Sequence, residues 1–451
     1  MKSVPTLDLW LDGLQHRADM RIGIVGLGYV GLPLALLFSE AGFPVTGFDI
    51  DAEKVLALNS GRSYIHRIQA EQLQTARAAG FHATSNFSEI VHCTAILICV
   101  PTPLADDHTP DMSFVTNTVE AIAPHLSMGQ LVVLESTTYP GTTTELVVPT
   151  LDRLSKSGAQ VLRDGEASEE LNGIMVAFSP EREDPGNTTI SRREIPKVIG
   201  GVDQRAARAA AALYGAIFDR TVVVSSPETA EMTKLLENIY RGVNIALVNE
   251  LKQLCLAMGI DIWEVIDAAS TKPFGFQAFY PGPGIGGHCI PVDPFYLSWR
   301  ARQFNQPTRF IELAGEVNEA MPTFVVRTIE LALERESKSL ANSRILILGI
   351  AYKRDIDDLR ESPALTLFDL LERTGAHVAY NDPFFPTVGR GRKYHLETAS
   401  TPLDQVPAFD CVVLVTDHTA YDISALVAAS HLFVDTRNTT RGLTSPNIIR
   451  C

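Results

Sequence analysis

Residues 21 to 51 read RIGIVGLGYVGLPLALLFSEAGFPVTGFDID, an apolar strand, a glycine turn, a helix and a second strand in one unbroken run. Gly26, Gly28 and Gly31 fall as GxGxxG between strand and helix, and Asp49 ends the next strand. Such glycines allow a tight turn, close approach of a pyrophosphate to backbone, and close packing of helix on strand. The helix start adds free amides and the positive end of a dipole. Asp49 can accept hydrogen bonds from the adenosine ribose and would repel a 2'-phosphate, which favours NAD over NADP. An FAD site and a packing turn without ligand share the pattern. The expectation is a βαβ unit that opens a parallel sheet and binds NAD.

Further apolar runs follow at AILICV (95 to 100), QLVVLEST (130 to 137), IMVAFSP (174 to 180), KVIGG (197 to 201) and TVVVSS (221 to 226). Their continuous rather than alternating hydrophobicity predicts strands buried on both faces, hence a mostly parallel sheet flanked by helices. Residues 228 to 259 keep helical periodicity with a single internal glycine. They predict one long connecting helix that also packs against a second subunit. A second helical stretch ends near Met321-Pro322, where the chain restarts with SRILILGIAYKRD, a helix at 363 to 374, AHVAYNDP, FDCVVLVTD and HLFVDTRN. This second α/β sheet echoes the first, with Asp382 after its second strand. Gly349, however, lacks the two later glycines of a phosphate loop, so a different ligand is expected there.

The fold class is therefore α/β, two Rossmann-like doubly wound parallel-sheet domains joined by a central helical region. The expected division is an N-terminal extension at 1–19, an NAD-binding domain at 20–226, a central helical dimerisation domain at 227–330 and a C-terminal domain at 331–451. A chain of 451 residues accommodates these. The formal charge of −15 argues against a nucleic-acid partner, which selects clustered Lys and Arg. Six cysteines without CxxC pairs argue against a disulfide framework or a zinc ribbon and for a reduced, cytoplasmic setting. The first twenty residues hold no apolar run of signal-peptide or membrane-span length and read as a short peripheral extension. Met20, directly before the first strand, is an alternative start. No metal ligand set and no membrane partner are expected.

At 280 to 296 the chain reads YPGPGIGGHCIPVDPFY, with glycines and prolines bracketing Cys289. Such a loop brings backbone close to a ligand and can present a thiol to it. A thiolate beside NAD could add to an aldehyde as a thiohemiacetal, whose oxidation gives a thioester that water hydrolyses to the acid. A buried structural thiol and a metal pair with His288 are the competing readings. The glycine fingerprint tips the balance to chemistry.

GLGYVGLPLA, CVPTP, ESTTYPGTT, SPER, AEMTKLLENIYR, PGPGIGGHC, GIAYKRDIDDLRESPA and VDTRN together resemble the UDP-glucose/GDP-mannose dehydrogenase family, from Arg21 to about Asn438. The resemblance implies a C-terminal UDP-binding domain, two NAD molecules used in turn, and Cys289 as nucleophile. It places Lys234 and Asn238 at the sugar C6 oxygen, where i and i+4 share one helical face and can stabilise developing negative charge. Glu181 is implied in acid-base work and Thr137 in positioning water; Asp293 is implied to orient water or Lys234. Tyr29, Val30, Pro101, Thr102 and Thr137 join the glycines and Asp49 at the cofactor. Tyr280, Gly284, Lys353 and Arg437 join Glu181, Lys234 and Asn238 at the UDP-sugar. Without the resemblance each of these charges would read as solvated surface.

His288 before the cysteine and Val292 before Asp293 depart from the UDP-glucose members. They point to the branch acting on UDP-N-acetylhexosamines, with UDP-N-acetylglucosamine expected first and UDP-N-acetylmannosamine, UDP-N-acetylgalactosamine, UDP-glucose and GDP-mannose behind it. The expected product is a uronic acid for surface polysaccharide. Two other classes compete: a two-electron dehydrogenase of the 6-phosphogluconate type, which needs no cysteine, and a sugar-nucleotide sensor without chemistry.

Overall fold

The computed structural model describes residues 5–65, 68–105, 107–156, 158–164, 169–183, 189–287, 290–390 and 395–451. It divides into two compact units, Met1–Glu237 with Trp299–Asn305 and Asn238–Ser298 with Gln306–Cys451.

The first unit runs α1 (Leu7–Gly13), β1 (Ile22–Val25), α2 (Gly31–Glu40), β2 (Val45–Phe48), α3 (Ala52–Asn59), α4 (Ala70–Ala78), β3 (His82–Thr84) and β4 (Ala95–Ile98). It continues with α5 (Ser113–Ile122), β5 (Leu131–Leu134), α6 (Val148–Leu154), β6 (Met175–Phe178), β7 (Lys197–Gly201), α7 (Gln204–Gly215), β8 (Thr221–Val224) and the start of α8 (Pro227–Met258). The strands form one sheet in the order β3-β2-β1-β4-β5-β6-β7-β8, every neighbouring pair parallel except β6 with β7. Ile22 pairs with Val45 on one side and Ala95 on the other, so the order reverses at β1.

Both sheet faces are covered, as the unbroken apolar runs require. Ile24, Leu97 and Val133 join a core with Leu34 and Phe38 of α2 and Leu213 of α7. Their neighbours Val25, Ile96 and Val132 join another with Val119 of α5 and Leu151 of α6. Each such side chain contributes roughly 1.5–3 kcal/mol when fully buried.

The N-terminal segment, expected to be peripheral, is instead part of the fold. Leu7 and Trp10 of α1 are buried in the first core. The Leu7 N–H donates to the Glu169 carbonyl at 2.9 Å, and the Leu171 N–H to the Pro5 carbonyl at 2.7 Å. An amphipathic turn too short to span a membrane is still long enough to dock.

The second unit takes α8 from Asn238 onward, then α9 (Ile262–Ser270), most of α10 (Asp293–Gln303), α11 (Arg309–Arg335), β9 (Arg344–Leu348), α12 (Pro363–Arg373) and β10 (His377–Asn381). After these come β11 (Thr387–Arg390), β12 (His395–Ala399), β13 (Cys411–Leu414), α13 (Ile423–Ala429), β14 (Phe433–Asp435) and β15 (Ile448–Arg450). Its main sheet is wholly parallel, in the order β10-β9-β13-β14-β15, with β11 and β12 as a separate antiparallel pair. Both doubly wound sheets and the long helix match the expected fold class.

Pro322 does not end its helix: α11 runs straight through it. A mid-helix proline costs about 3 kcal/mol. Val325, Ile329, Ala332 and Leu333, all in the core of the second sheet, hold the helix beyond it. No described helix is long and apolar enough to cross a membrane.

Candidate active site

The glycine turn sits between β1 and α2, at the carboxyl edge where the strand order reverses, the place where doubly wound sheets bind ligands. Gly26 has φ +90°, and a Cβ there would lie 2.7 Å from the Cys99 carbonyl oxygen. A Cβ on Gly31 would lie 1.9 Å from the Gly26 carbonyl oxygen. These two glycines are demanded by the fold itself. A Cβ on Gly28 would meet nothing within 4 Å, so the fold leaves that side of the turn open to a ligand. Tyr29 and Val30 follow, immediately before α2.

Asp49, at the end of β2, is buried and turned back to the turn: one carboxylate oxygen accepts the Leu27 N–H at 2.9 Å and the other the Asp51 N–H at 3.0 Å. After β4 come Pro101 and Thr102, whose hydroxyl donates to the Thr137 carbonyl at 2.7 Å, while the Ser136 hydroxyl donates to the Val100 carbonyl at 2.7 Å. The expected cofactor residues Gly26, Gly28, Tyr29, Val30, Gly31, Asp49, Pro101, Thr102 and Thr137 thus stand on consecutive strand ends of one sheet. An open glycine turn at a helix start and a carboxylate at the end of β2 fit NAD.

Further along the same edge, Glu181 follows β6. One of its oxygens accepts the Arg182 and Glu183 N–H groups at 2.8 and 2.7 Å. The other lies 3.8 Å from the ammonium of Lys197, a residue buried at the start of β7. Burial alone would raise the Glu181 carboxyl; the Lys197 charge, then Arg192, the Glu183 backbone N–H and Lys234 hold it below the usual range. Lys234 is itself buried on α8.

In the second unit, the Asn238 side-chain amide, one helical turn beyond Lys234, donates to the Asp293 carboxylate at the start of α10. His288 and Cys289 lie outside the described residues. Tyr280 stacks on Trp263 with ring centroids 5.4 Å apart and donates its hydroxyl to Asp267 at 3.2 Å. Gly284 has φ +137°, and a Cβ there would come 2.9 Å from Pro363, so packing explains this glycine. A Cβ on Gly282 would lie 2.7 Å from an Arg437 guanidinium nitrogen, and one on Gly287 2.9 Å from the Tyr352 ring. The glycines of this loop let its backbone lie against Arg437 and the segment after β9.

Lys353 follows in that segment, half-buried. Arg437 donates from Nε to the Val415 carbonyl at 2.8 Å, and burial draws its guanidinium down to about 10 against the pull of Asp435. Asp382 accepts the Ile350 and Ala351 N–H groups at 2.8 and 2.9 Å and faces His418 Nε2 at 3.1 Å. Asp382 thus takes two of the amides that follow β9, where Asp49 takes one after β1.

Sequence reasoning missed several buried charged groups. Lys197 and Glu135 pair at 2.6 Å between strands. Lys252 of α8 is buried with no hydrogen-bond partner for its ammonium among the described residues, and burial lowers its pKa. Glu231 accepts from Gly141 and Thr143. Only Lys197 carried a signal: a lysine that opens an otherwise apolar strand.

Three family models cover most of the chain. Residues 20–218 match the NAD binding domain of the UDP-glucose/GDP-mannose dehydrogenase family, 228–320 its central domain and 346–442 its UDP binding domain. The chain belongs to this family. Among its relatives, a UDP-N-acetyl-D-mannosamine dehydrogenase of Pyrococcus horikoshii is 34% identical over 88% of this chain and 90% of its own. An NDP-N-acetyl-D-galactosaminuronic acid dehydrogenase of Ralstonia nicotianae is 35% identical over 92% and 95%. The solved structure of the UDP-D-ManNAc dehydrogenase from Pyrococcus horikoshii superposes with a TM-score of 0.80 at 32% identity, covering 93% of this chain and 96% of that one. Membership makes the protein an NAD-dependent nucleotide-sugar dehydrogenase with a UDP-sugar substrate.

Proposed function

We propose that the enzyme oxidises the C6 alcohol of UDP-N-acetyl-D-mannosamine to the carboxylate, consuming two NAD per sugar. The observation that carries the choice of sugar is the kinship over nearly nine-tenths of the chain with a UDP-N-acetyl-D-mannosamine dehydrogenase. It displaces UDP-N-acetylglucosamine, the first expectation from sequence, to second place.

NAD, bound at the glycine turn and Asp49, supplies the hydride acceptor for both oxidations. Lys234 and Asn238 stabilise the negative charge that develops on the C6 oxygen. Asp293 fixes the Asn238 amide. Cys289 adds to the resulting aldehyde, and loss of a second hydride turns the hemithioacetal into a thioester. Water held by Thr137 attacks the thioester, and Glu181, kept as a carboxylate, takes its proton. The sum is RCH2OH, two NAD and water giving RCOO⁻, two NADH and three protons. Arg437, Lys353 and Tyr280 with the loop at Gly284 hold the UDP portion, an always-charged guanidinium suiting its diphosphate.

The domain division given from the sequence assigns NAD binding to 20–226, dimerisation to 227–330 and UDP binding to 331–451. An exposed stripe on α8, Leu236, Tyr240, Leu247, Leu251, Leu254 and Met258, supports a homodimer formed along that helix. Scattered cysteines without CxxC pairs, free at all five described positions, support a cytoplasmic location.

The test of substrate is kcat/KM across UDP-N-acetyl derivatives of mannosamine, glucosamine and galactosamine, with UDP-glucose and GDP-mannose. UDP-N-acetylmannosamine is expected to lead. A lead for another sugar overturns the assignment while leaving the chemistry in place.

A further inference from the structure

Lys197 is the first residue of β7, with a side chain only 3% exposed, inside a sheet otherwise built from Val, Ile and Gly at that point. Its ammonium donates to Glu135 at 2.6 Å and to the carbonyl of Pro180 at 3.1 Å, and faces Glu181 at 3.8 Å. The Tyr214 hydroxyl donates to the other oxygen of Glu135. The rings of Tyr214 and Phe218 lie 5.1 and 5.5 Å from the ammonium and shield it. Glu135 is fully engaged, so the third direction of the lysine falls to Glu181, whose side chain is 16% exposed and open to ligand where Lys197 is not.

We propose that Lys197 is a positioning residue for Glu181: through the Pro180 carbonyl it fixes the backbone immediately before Glu181, and through its charge it keeps that carboxylate ionised for proton abstraction. The inference rests on the reading of Glu181 as the base in thioester hydrolysis. A purely structural pair explains less. A buried Lys–Glu pair gains little stability over a well-packed apolar pair, because desolvation consumes the attraction. Nor would such a pair need a second carboxylate beside it.

The groups facing Glu181 are the cations Lys197, Arg192 and Lys234 and the carboxylate Glu135. Glu183 is paired with Arg192, and Arg182 is paired with Glu237. Tyr214 and the buried Cys99 thiol stay neutral, both pushed well up by burial. Burial likewise acts to lower the Lys197 ammonium, but Glu135 and then Glu181 more than offset it, so the lysine is charged wherever the enzyme works. Removing it leaves Glu181 with burial as the largest influence, and its proton then binds more tightly.

The experiment is the pH profile of kcat for Lys197→Met, Lys197→Arg, the double variant Lys197→Met/Glu135→Gln, and Glu181→Gln. The acidic limb of Lys197→Met is expected to move up by about one pH unit or more. KM for the UDP-sugar and for NAD should stay within about twofold, and Lys197→Arg should recover most of the limb. The double variant leaves neither member of the Lys197–Glu135 pair charged without the other, so it reports even where Lys197→Met fails to fold. An upward shift is again expected, smaller because the repulsion of Glu135 is lost with the lysine. A folded double variant with the wild-type limb overturns the inference. Glu181→Gln with wild-type kcat overturns the underlying role of Glu181 instead, which separates the two failures.

Discussion

At the scale of single residues, the buried carboxylates set how the enzyme responds to pH. Glu231 accepts the Gly141 and Thr143 N–H groups at 2.6 and 2.9 Å and the Thr143 hydroxyl at 2.7 Å, yet burial pushes its carboxyl up to about 7. A folded pKa above the unfolded value means that the neutral form fits the fold best. Its contribution is fully present below about pH 4.5 and is lost as pH rises through about 7. Glu231→Gln, which mimics the neutral form, should flatten this loss, worth on the order of 3 kcal/mol between pH 5 and 8. Urea unfolding across that range checks it; parallel stability curves for the two proteins would contradict the assignment. Residues such as Asp49 and Gly26 were legible in the sequence because their partners lie in the same βαβ unit. The pairing of Glu135 with Lys197 was not, although a lysine opening an apolar strand was visible, because the pair arises only when segments 62 residues apart meet.

At the scale of elements, periodicity placed α8 to within one residue at each end, since its only internal glycine is Gly242 and it contains no proline after Pro227. It could not show that α11 continues through Pro322 or that α1 docks, because both depend on apolar surface supplied by distant elements. Strand β3 and the pair β11 with β12 also escaped notice, being short and only partly apolar. The stripe of α8 makes its own prediction. Leu247 and Leu254 are 54% and 53% exposed and lie on one face, seven residues apart. Leu247→Glu/Leu254→Glu should turn a dimer into a monomer in light scattering. Wild-type protein that is already monomeric at working concentration would overturn the α8 interface.

At the scale of the whole molecule, the chain repeats one architectural idea with two outcomes. After β1 Asp49 accepts the Leu27 N–H beside a turn in which Gly28 and Gly31 follow Gly26, and after β9 Asp382 accepts the Ile350 and Ala351 N–H groups in a turn where Gly349 has no such successors. One doubly wound sheet suits NAD and the other a different ligand, as the absence of later glycines after Gly349 suggested. The family was legible because its motifs are local runs of chain. The sugar was not, because the partner of a 2-acetamido group is a matter of side-chain placement that no run of residues encodes.

The central claim is four-electron oxidation through Cys289. The most direct test is the yield of NADH per UDP-N-acetylmannosamine consumed, with NAD in excess, for the wild type and for Cys289→Ala. The account predicts two NADH and a carboxylate product from the wild type, and no acid from the variant. One NADH per sugar, at a rate indifferent to the substitution, would contradict it.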